Sequence, residues 1–110
     1  MIRILLFLTL YYIMSLQSAR RKARIEGLID NDNDLKESTR KGKRFMIKHN
    51  DKWIHFGLWP FSGHGTYLDH GDDSIRKAWK ARHSVNKNNN GIPFYNDRNS
   101  PLYYAWHILW

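Results

Sequence analysis

Three histidines, His64, His70 and His83, lie where side chains could carry chemistry, around a predicted helix over residues 75–82. If the preceding loop folds over this helix, the three rings converge and could bind zinc. Zinc ligands are usually closely spaced pairs, and the chain has neither a Cys-x2-Cys nor a His-x3-His pattern. We therefore expect His70 and His83 to cap or hydrogen-bond the helix ends, and we assign no metal ligand and no cofactor.

Carboxylates near the same helix give a second candidate for chemistry. Asp69, Asp72 and Asp73 could act with His70 in acid–base catalysis. No nucleophile with an orienting partner accompanies them, and acidic residues are favoured at a helix N-terminus for electrostatic reasons alone. We expect the protein not to be an enzyme and to have no small-molecule substrate.

Basic residues outnumber acidic ones, eighteen to ten, which gives a formal charge of +8. This balance permits nucleic acid, an anionic membrane surface or an acidic protein as partner. Positive charge beside aromatic rings is typical of non-specific nucleic-acid binding, although a basic helix face is commonly only solvated. The candidate basic patch consists of Arg20, Arg21, Lys22, Arg24, Arg76, Lys77, Lys80 and Arg82.

Aromatic residues form 15% of the chain and include five tryptophans. A small domain cannot bury all of these rings, and partly exposed Trp and Tyr often mark contact sites. The candidate partner-binding residues are Trp59, Phe61, Tyr67, Tyr103, Trp106 and Trp110.

The composition divides the chain into three segments. Residues 1–14 are mostly apolar, residues 15–42 are charged, and residues 43–110 are the part able to fold as a domain. The apolar run is shorter than the roughly 20 residues of a bilayer span. A signal peptide would lack an Ala-x-Ala-like cleavage site. A short membrane anchor, an upstream extension before a true start at Met14, and an apolar helix packed on a partner protein remain open.

The charged segment, residues 15–42, is predicted to be a solvated and partly helical arm that orders on a partner. Its apolar stripe is thin, with Leu16, Ala19, Ala23 and Leu28 near one helix face. The run at residues 30–34 alternates Asp and Asn like a calcium loop, but the glycine and closing Glu of an EF-hand are missing. It is predicted to be a turn or linker.

The third segment predicts a small α+β domain in which two short helices cover a β-hairpin. Residues 44–49 and 52–57 alternate as strands around Asn50 and Asp51, which tolerate the positive φ of a two-residue turn. The helix over 75–82 is predicted to have Asp72 or Asp73 as its N-cap, and Ile75 and Trp79 are expected to face this hairpin. A second, apolar helix is predicted to begin with Ser100 as N-cap and Pro101 as its first residue.

Four elements of residues 43–110 occur in the order found in a known family. They are Lys-Arg-Phe-Met-Ile-Lys-His-Asn-Asp-Lys-Trp-Ile-His-Phe-Gly, Leu-Asp-His, Ala-Arg-His and the terminal Trp-His-Ile-Leu-Trp. This order resembles a family of short proteins of large nucleocytoplasmic DNA viruses. The chain departs from it in the longer aromatic loop 58–67 and in Gly71, where the family has Lys. The resemblance implies a viral origin and a place in or near the virion, and it carries over no enzymatic activity.

These observations lead to two functional hypotheses. In the first, the chain is a non-enzymatic minor capsid or cement protein that bridges larger capsid proteins, or the shell and an inner membrane reached through residues 2–14. Such a protein would lie at the inner surface of the capsid of a virion assembled in the host cytoplasm. The alternative is a basic nucleic-acid-binding accessory protein of viral DNA packaging or replication.

Overall fold

The computed structural model describes residues 2–61 and 63–110, with side chains at residues 10, 11, 14–61 and 63–110. The chain forms an α+β domain, which confirms the predicted fold class. The elements are α1 (Ile2–Ile25), a 3₁₀ turn (Asp32–Asp34), β1 (Leu35–Glu37), β2 (Lys43–His49), β3 (Lys52–Leu58), α2 (Tyr67–His70), α3 (Asp73–His83), a second 3₁₀ turn (Phe94–Asn96) and α4 (Pro101–Tyr104), which continues as a π-helical segment (Ala105–Leu109). We call α4 and its π-helical continuation the C-terminal helix.

The sheet is antiparallel, with the strand order β1-β2-β3. β2 and β3 form the predicted hairpin, in which His49 is opposite Lys52 at the closing pair. Asn50 and Asp51 have φ values of 51° and 61°, so both central residues adopt the left-handed conformation that this turn requires. The prediction of a two-residue turn is confirmed.

The prediction of a two-stranded sheet is wrong because the charged segment contributes a third strand. Leu35 pairs with Ile47 and Glu37 pairs with Phe45. Leu35 is fully buried, while its neighbours Lys36 and Glu37 are exposed. The strand is only three residues long and contains a single apolar residue, Leu35, so little in the sequence indicated it.

The second half of α1 packs against the domain, which contradicts a solvated arm over residues 15–42. Ala19 and Ala23 are fully buried, and Leu16 and Leu28 pack at the edge of the same core. The thin apolar stripe is enough to dock α1 on the domain. The small alanine side chains at i and i+4 let the helix backbone approach the C-terminal helix and β1 closely. Residues 39–42 between β1 and β2 are exposed, as are residues 24–27 and 30–33 of the same segment.

No helix of the described residues is long and apolar enough to cross a membrane. On the outer face of α1, Leu10 and Met14 are one helical turn apart and are 58% and 64% exposed. The side chains at residues 2–9 of the predicted membrane contact lie outside the described residues.

The C-terminal helix, together with α1, covers the sheet. Ser100 caps its first turn by accepting a hydrogen bond from the Leu102 backbone N–H, and Pro101 follows as its first residue, as predicted. The ring of Tyr104 lies 5.8 Å from that of Phe56, and the Tyr104 hydroxyl donates to the Arg98 carbonyl. Ile108 and Leu109 complete the core from the same helix.

α3 begins at the predicted cap, but it does not face the sheet. Asp72 accepts hydrogen bonds from the backbone N–H groups of Ser74 and Ile75. The expectation that Trp79 would contact the hairpin is wrong, since its ring stacks on Trp110 of the C-terminal helix. Helical periodicity identifies the buried face of a helix, but it does not identify the element that the face contacts.

Candidate interaction surface

Trp79 and the C-terminal helix form a stack of aromatic rings. The Trp79 and Trp110 rings are nearly parallel, at 8° and with centroids 4.8 Å apart. Trp106 lies 6.0 Å from Trp79 and stacks on Tyr95 at 4.3 Å. The predicted partner-binding residues Trp106 and Trp110 therefore hold α3 against the C-terminal helix, and both remain partly exposed.

The other predicted contact residues also have contacts within the domain. The Arg76 guanidinium lies 4.5 Å from the ring centre of Tyr67. Trp59 and Phe61 meet edge to face at 5.4 Å. Tyr103 packs on the ring of His107 at 4.3 Å. The six predicted rings are thus spread over the domain rather than gathered in one exposed patch.

A cleft of about 530 Å³ opens between the strand ends, α3 and the C-terminal helix. Its size is that of a typical ligand or peptide pocket. Two of the six predicted rings, Phe61 and Trp110, line it together with Trp79 and Ile75. Leu58 at its border is 61% exposed. The cleft is a concave apolar surface that the domain itself leaves uncovered.

Opposite charges within the domain partly neutralise the predicted basic residues of α1. Lys22 forms an ion pair with Glu26, and Arg24 forms one with Asp32. The Arg20 Nε donates a hydrogen bond to the Leu35 carbonyl and so ties α1 to β1. The acidic run that resembled a calcium loop serves here as a 3₁₀ turn with Asn31 as its N-cap.

Some basic residues of α3 are also neutralised by an acidic partner, whereas Lys80 forms no ion pair within the residues that the structure describes. Arg76 and Lys77 both pair with Asp73 in the first turn of the helix. Lys80 lies over the Trp106 ring at 5.0 Å. Burial lowers the pKa of Lys80, and the neighbouring charges of Arg76 and Lys22 lower it further.

A basic residue of α1 acts on the electrostatics of α3 in the folded domain. The charge of Lys22 on α1 contributes to the lowered pKa of Lys80 on α3, although the two residues are 58 positions apart in the sequence. Arg76 adds a further positive charge, and the ring of Trp106 supplies an aromatic face beside Lys80. The predicted basic patch stays a prediction.

The histidines do not form a metal centre in the described residues, since no group of three or more potential ligands is close enough to hold an ion there. His64 and His70 rings are 6.1 Å apart. The Nδ1 of His70 accepts a hydrogen bond from the Asp72 backbone N–H at the start of α3, as predicted for a helix-end histidine. His83 packs on Trp79, and burial followed by the charge of Arg82 lowers its pKa.

A buried ion pair between Arg44 and Asp69 is the feature that the sequence did not reveal. Arg44 donates from Nη1 and Nη2 to the two carboxylate oxygens at 2.8 and 2.6 Å. The side chains are only 1% and 5% exposed. The Tyr11 hydroxyl and the backbone N–H and hydroxyl of Thr66 also donate to the carboxylate.

The carboxylate of Asp69 therefore has structural partners in Arg44, Tyr11 and Thr66. Burial raises the pKa of Asp69, but the hydrogen bonds from Arg44, Tyr11 and Thr66 outweigh it and hold the pKa well below its usual range. The carboxylate joins three elements, because Tyr11 lies on α1, Arg44 on β2 and Asp69 on α2. The only sequence sign was the Thr-x-x-Asp spacing of a capping box.

A match to a known family lies in the middle of the chain. Residues 33–83 match the model of a family of unknown function (DUF5754). The matched segment contains the sheet, both partners of the buried ion pair and α3, and it leaves out α1 and the C-terminal helix. No curated protein and no solved structure matches the chain.

Proposed function

We propose that this chain is a non-enzymatic structural protein of a virion, a minor capsid or cement protein that docks on larger capsid proteins. The observation that carries this proposal is the open apolar cleft between α3 and the C-terminal helix, with Leu58 exposed at its border. Uncovered apolar surface is typical of a contact site for another protein. The virion as the place of that contact rests on the sequence resemblance to short proteins of large DNA viruses.

The outer face of α1 supports a second contact in the same assembly. Leu10 and Met14 extend the exposed apolar surface toward the N-terminal end of the helix. A bridging protein needs two such surfaces, and no described residue of α1 lines the cleft. The partner at α1 is another capsid protein or the inner membrane, as the sequence hypotheses allow.

Mass spectrometry of purified virions after graded detergent and salt extraction tests the proposal. We expect the chain to remain with the capsid shell, at a fixed stoichiometry relative to the major shell protein. Release with the membrane in detergent would leave α1 as the sole attachment and contradict docking through the cleft. Absence from virions would contradict the structural role as a whole.

Nucleic-acid binding is the second candidate, because Lys80 lies over the Trp106 ring and the charges of Arg76 and Lys22 lower the pKa of Lys80. Such a patch could contact phosphates while the ring stacks on a base. The ion pairs of Asp73 with Arg76 and Lys77 weaken this candidate, because they neutralise part of the charge.

The salt dependence of binding to duplex and single-stranded DNA distinguishes this second candidate. Replacing Lys80 by Ala should reduce the slope of log K against log salt by about one if Lys80 contacts a phosphate. Lys48→Ala is the matched control, since Lys48 is an exposed lysine on β2. Equal slopes for the two variants would contradict binding through this patch.

A further inference from the structure

The charges around the cleft have a single sign. Lys43 on β2 and Arg82 on α3 line it from different elements, and His64 lines it from the loop before α2. No acidic residue is present among the lining residues that the structure describes. Within that same part of the chain neither Lys43 nor Arg82 forms an ion pair. These cations are therefore available to a charged ligand.

This arrangement differs from that of four basic residues elsewhere in the domain. On α1 and in the first turn of α3, these four cations have an acidic partner. At the cleft the described lining residues supply cations and apolar surface but no Asp or Glu side chain. Complementary charge across an interface favours the right partner and speeds its association. A cleft whose described lining has cations and no acidic side chain therefore favours a negatively charged ligand.

We propose that the cleft binds an acidic segment of a partner protein, with an apolar side chain seated against Trp79 and Trp110 and carboxylates paired with Lys43 and Arg82. The inference rests on the proposed docking function and names the chemistry of the partner. An apolar anchor in a desolvated pocket supplies affinity, and the charged border supplies selectivity against neutral or basic segments.

The shape of the site favours a protein segment over a small anion. The apolar lining of the cleft includes Leu58 at its border, and this residue is 61% exposed. A peptide that crosses the border covers more of Leu58 than a small ligand held deep in the cleft. The two cations also lie on different elements, which suits two separate carboxylates of one chain.

A fluorescence titration tests this proposal because two tryptophans, Trp79 and Trp110, line the cleft. The probes are capped ten-residue peptides in which Leu or Phe alternates with Asp. A second set has Lys in place of Asp, and a third has Ser in place of Leu and Phe. We expect the full chain to bind the acidic apolar set at least about tenfold more tightly than either control set, and more weakly at high salt.

Variants with matched controls locate the binding. Arg82→Glu should weaken binding of the acidic set at least about tenfold, whereas Lys48→Glu changes the net charge equally away from the cleft and should not. Leu58→Asp should weaken it similarly, whereas Val85→Asp should not, since Val85 is an exposed apolar residue that does not line the cleft. All four sites are exposed, so circular dichroism should show folded proteins.

Each outcome decides the proposal separately from the virion assignment. Equal binding of the Lys set, or equal effects of Arg82→Glu and Lys48→Glu, would overturn it. Stronger binding to phosphatidylserine vesicles or DNA than to acidic peptides, with the same dependence on Arg82, would assign the cleft to another partner and also overturn it. Retention in the virion without peptide binding overturns this inference alone, while peptide binding by a chain absent from virions overturns only the structural role.

Discussion

Replacing Asp69 by Asn should destabilise the protein far more than any change of an exposed acid. The substitution keeps the size of the side chain but removes the charge that compensates Arg44, whose guanidinium is 1% exposed. Breaking one partner of a buried ion pair costs about 3–5 kcal/mol, because the remaining charge is left without compensation in a poorly solvated site. The total free energy of unfolding of such a domain is about 5–15 kcal/mol, so the loss is a large fraction of it.

Urea unfolding followed by circular dichroism measures this loss. Asp73→Asn is the matched control, because Asp73 also pairs with two cations, Arg76 and Lys77, but its side chain is 50% exposed. Exposed ion pairs contribute about 0–1 kcal/mol, so this variant should remain close to the parent. If Asp69→Asn costs no more than Asp73→Asn, the buried pair does not stabilise the fold in the way that its geometry indicates.

The pH dependence of the stability difference between the parent and Asp69→Asn gives a second measurement. The folded-state pKa of Asp69 is lowered: burial raises it, but the hydrogen bonds from Arg44, Tyr11 and Thr66 outweigh burial. A group with a lowered folded-state pKa stabilises the protein fully above its unfolded pKa, about 3.9, and this contribution is lost as the pH falls toward the folded value. The stability difference between the parent and Asp69→Asn should therefore be constant from pH 7 to about 5 and narrow below about pH 4. A difference that stays constant down to pH 2 would contradict it.

Three further changes test other contacts by the same unfolding assay. Gly57→Ala should cost at least about 2 kcal/mol, because its φ is +82° and a Cβ there would meet Leu109 at 3.0 Å. Gly42→Ala, at φ +83° with no atom within 4 Å, should show only the conformational cost of about 1 kcal/mol, and an equal loss in both would refute the steric argument. Tyr11→Phe should cost about 1–3 kcal/mol through the lost hydrogen bond to the buried carboxylate, and no loss would mean that α1 is not held there. Ser100→Ala should cost about 1 kcal/mol through the lost helix cap, and a stability equal to the parent would argue against that cap.

Local signals in the sequence predicted the parts of the fold that depend on neighbouring residues. The turn at Asn50 and Asp51 and the caps at Asp72 and Ser100 each follow from the chemistry of one or two residues, and all are present. Such features depend on backbone conformation and nearby hydrogen bonds, so they do not require knowledge of the tertiary structure.

Features that depend on distant contacts could not be predicted in this way. Strand periodicity placed Arg44 on the face opposite Phe45, where a charged residue suggests solvent. Its burial depends on Asp69, which is 25 positions away, and on Tyr11, which lies in the apolar segment 1–14 that was expected to be an anchor, an upstream extension or a helix on a partner protein. The cleft depends likewise on how α3 meets the C-terminal helix, which a buried stripe alone does not specify.

The buried ion pair also explains why α1 belongs to the same folding unit as the middle of the chain. Residues 33–83 contain Arg44 and Asp69, but the residues that close the core over the sheet lie outside this segment, on α1 and the C-terminal helix. Leaving a paired charge in water has little cost, whereas burying it requires that every hydrogen-bonding group of the carboxylate be satisfied. Tyr11 supplies one of those hydrogen bonds from α1, so the burial of the pair and the docking of the helix stabilise each other. The helix α1, which the sequence divided between an apolar segment and a charged arm, therefore contributes through Tyr11 to the compensation of this buried charge.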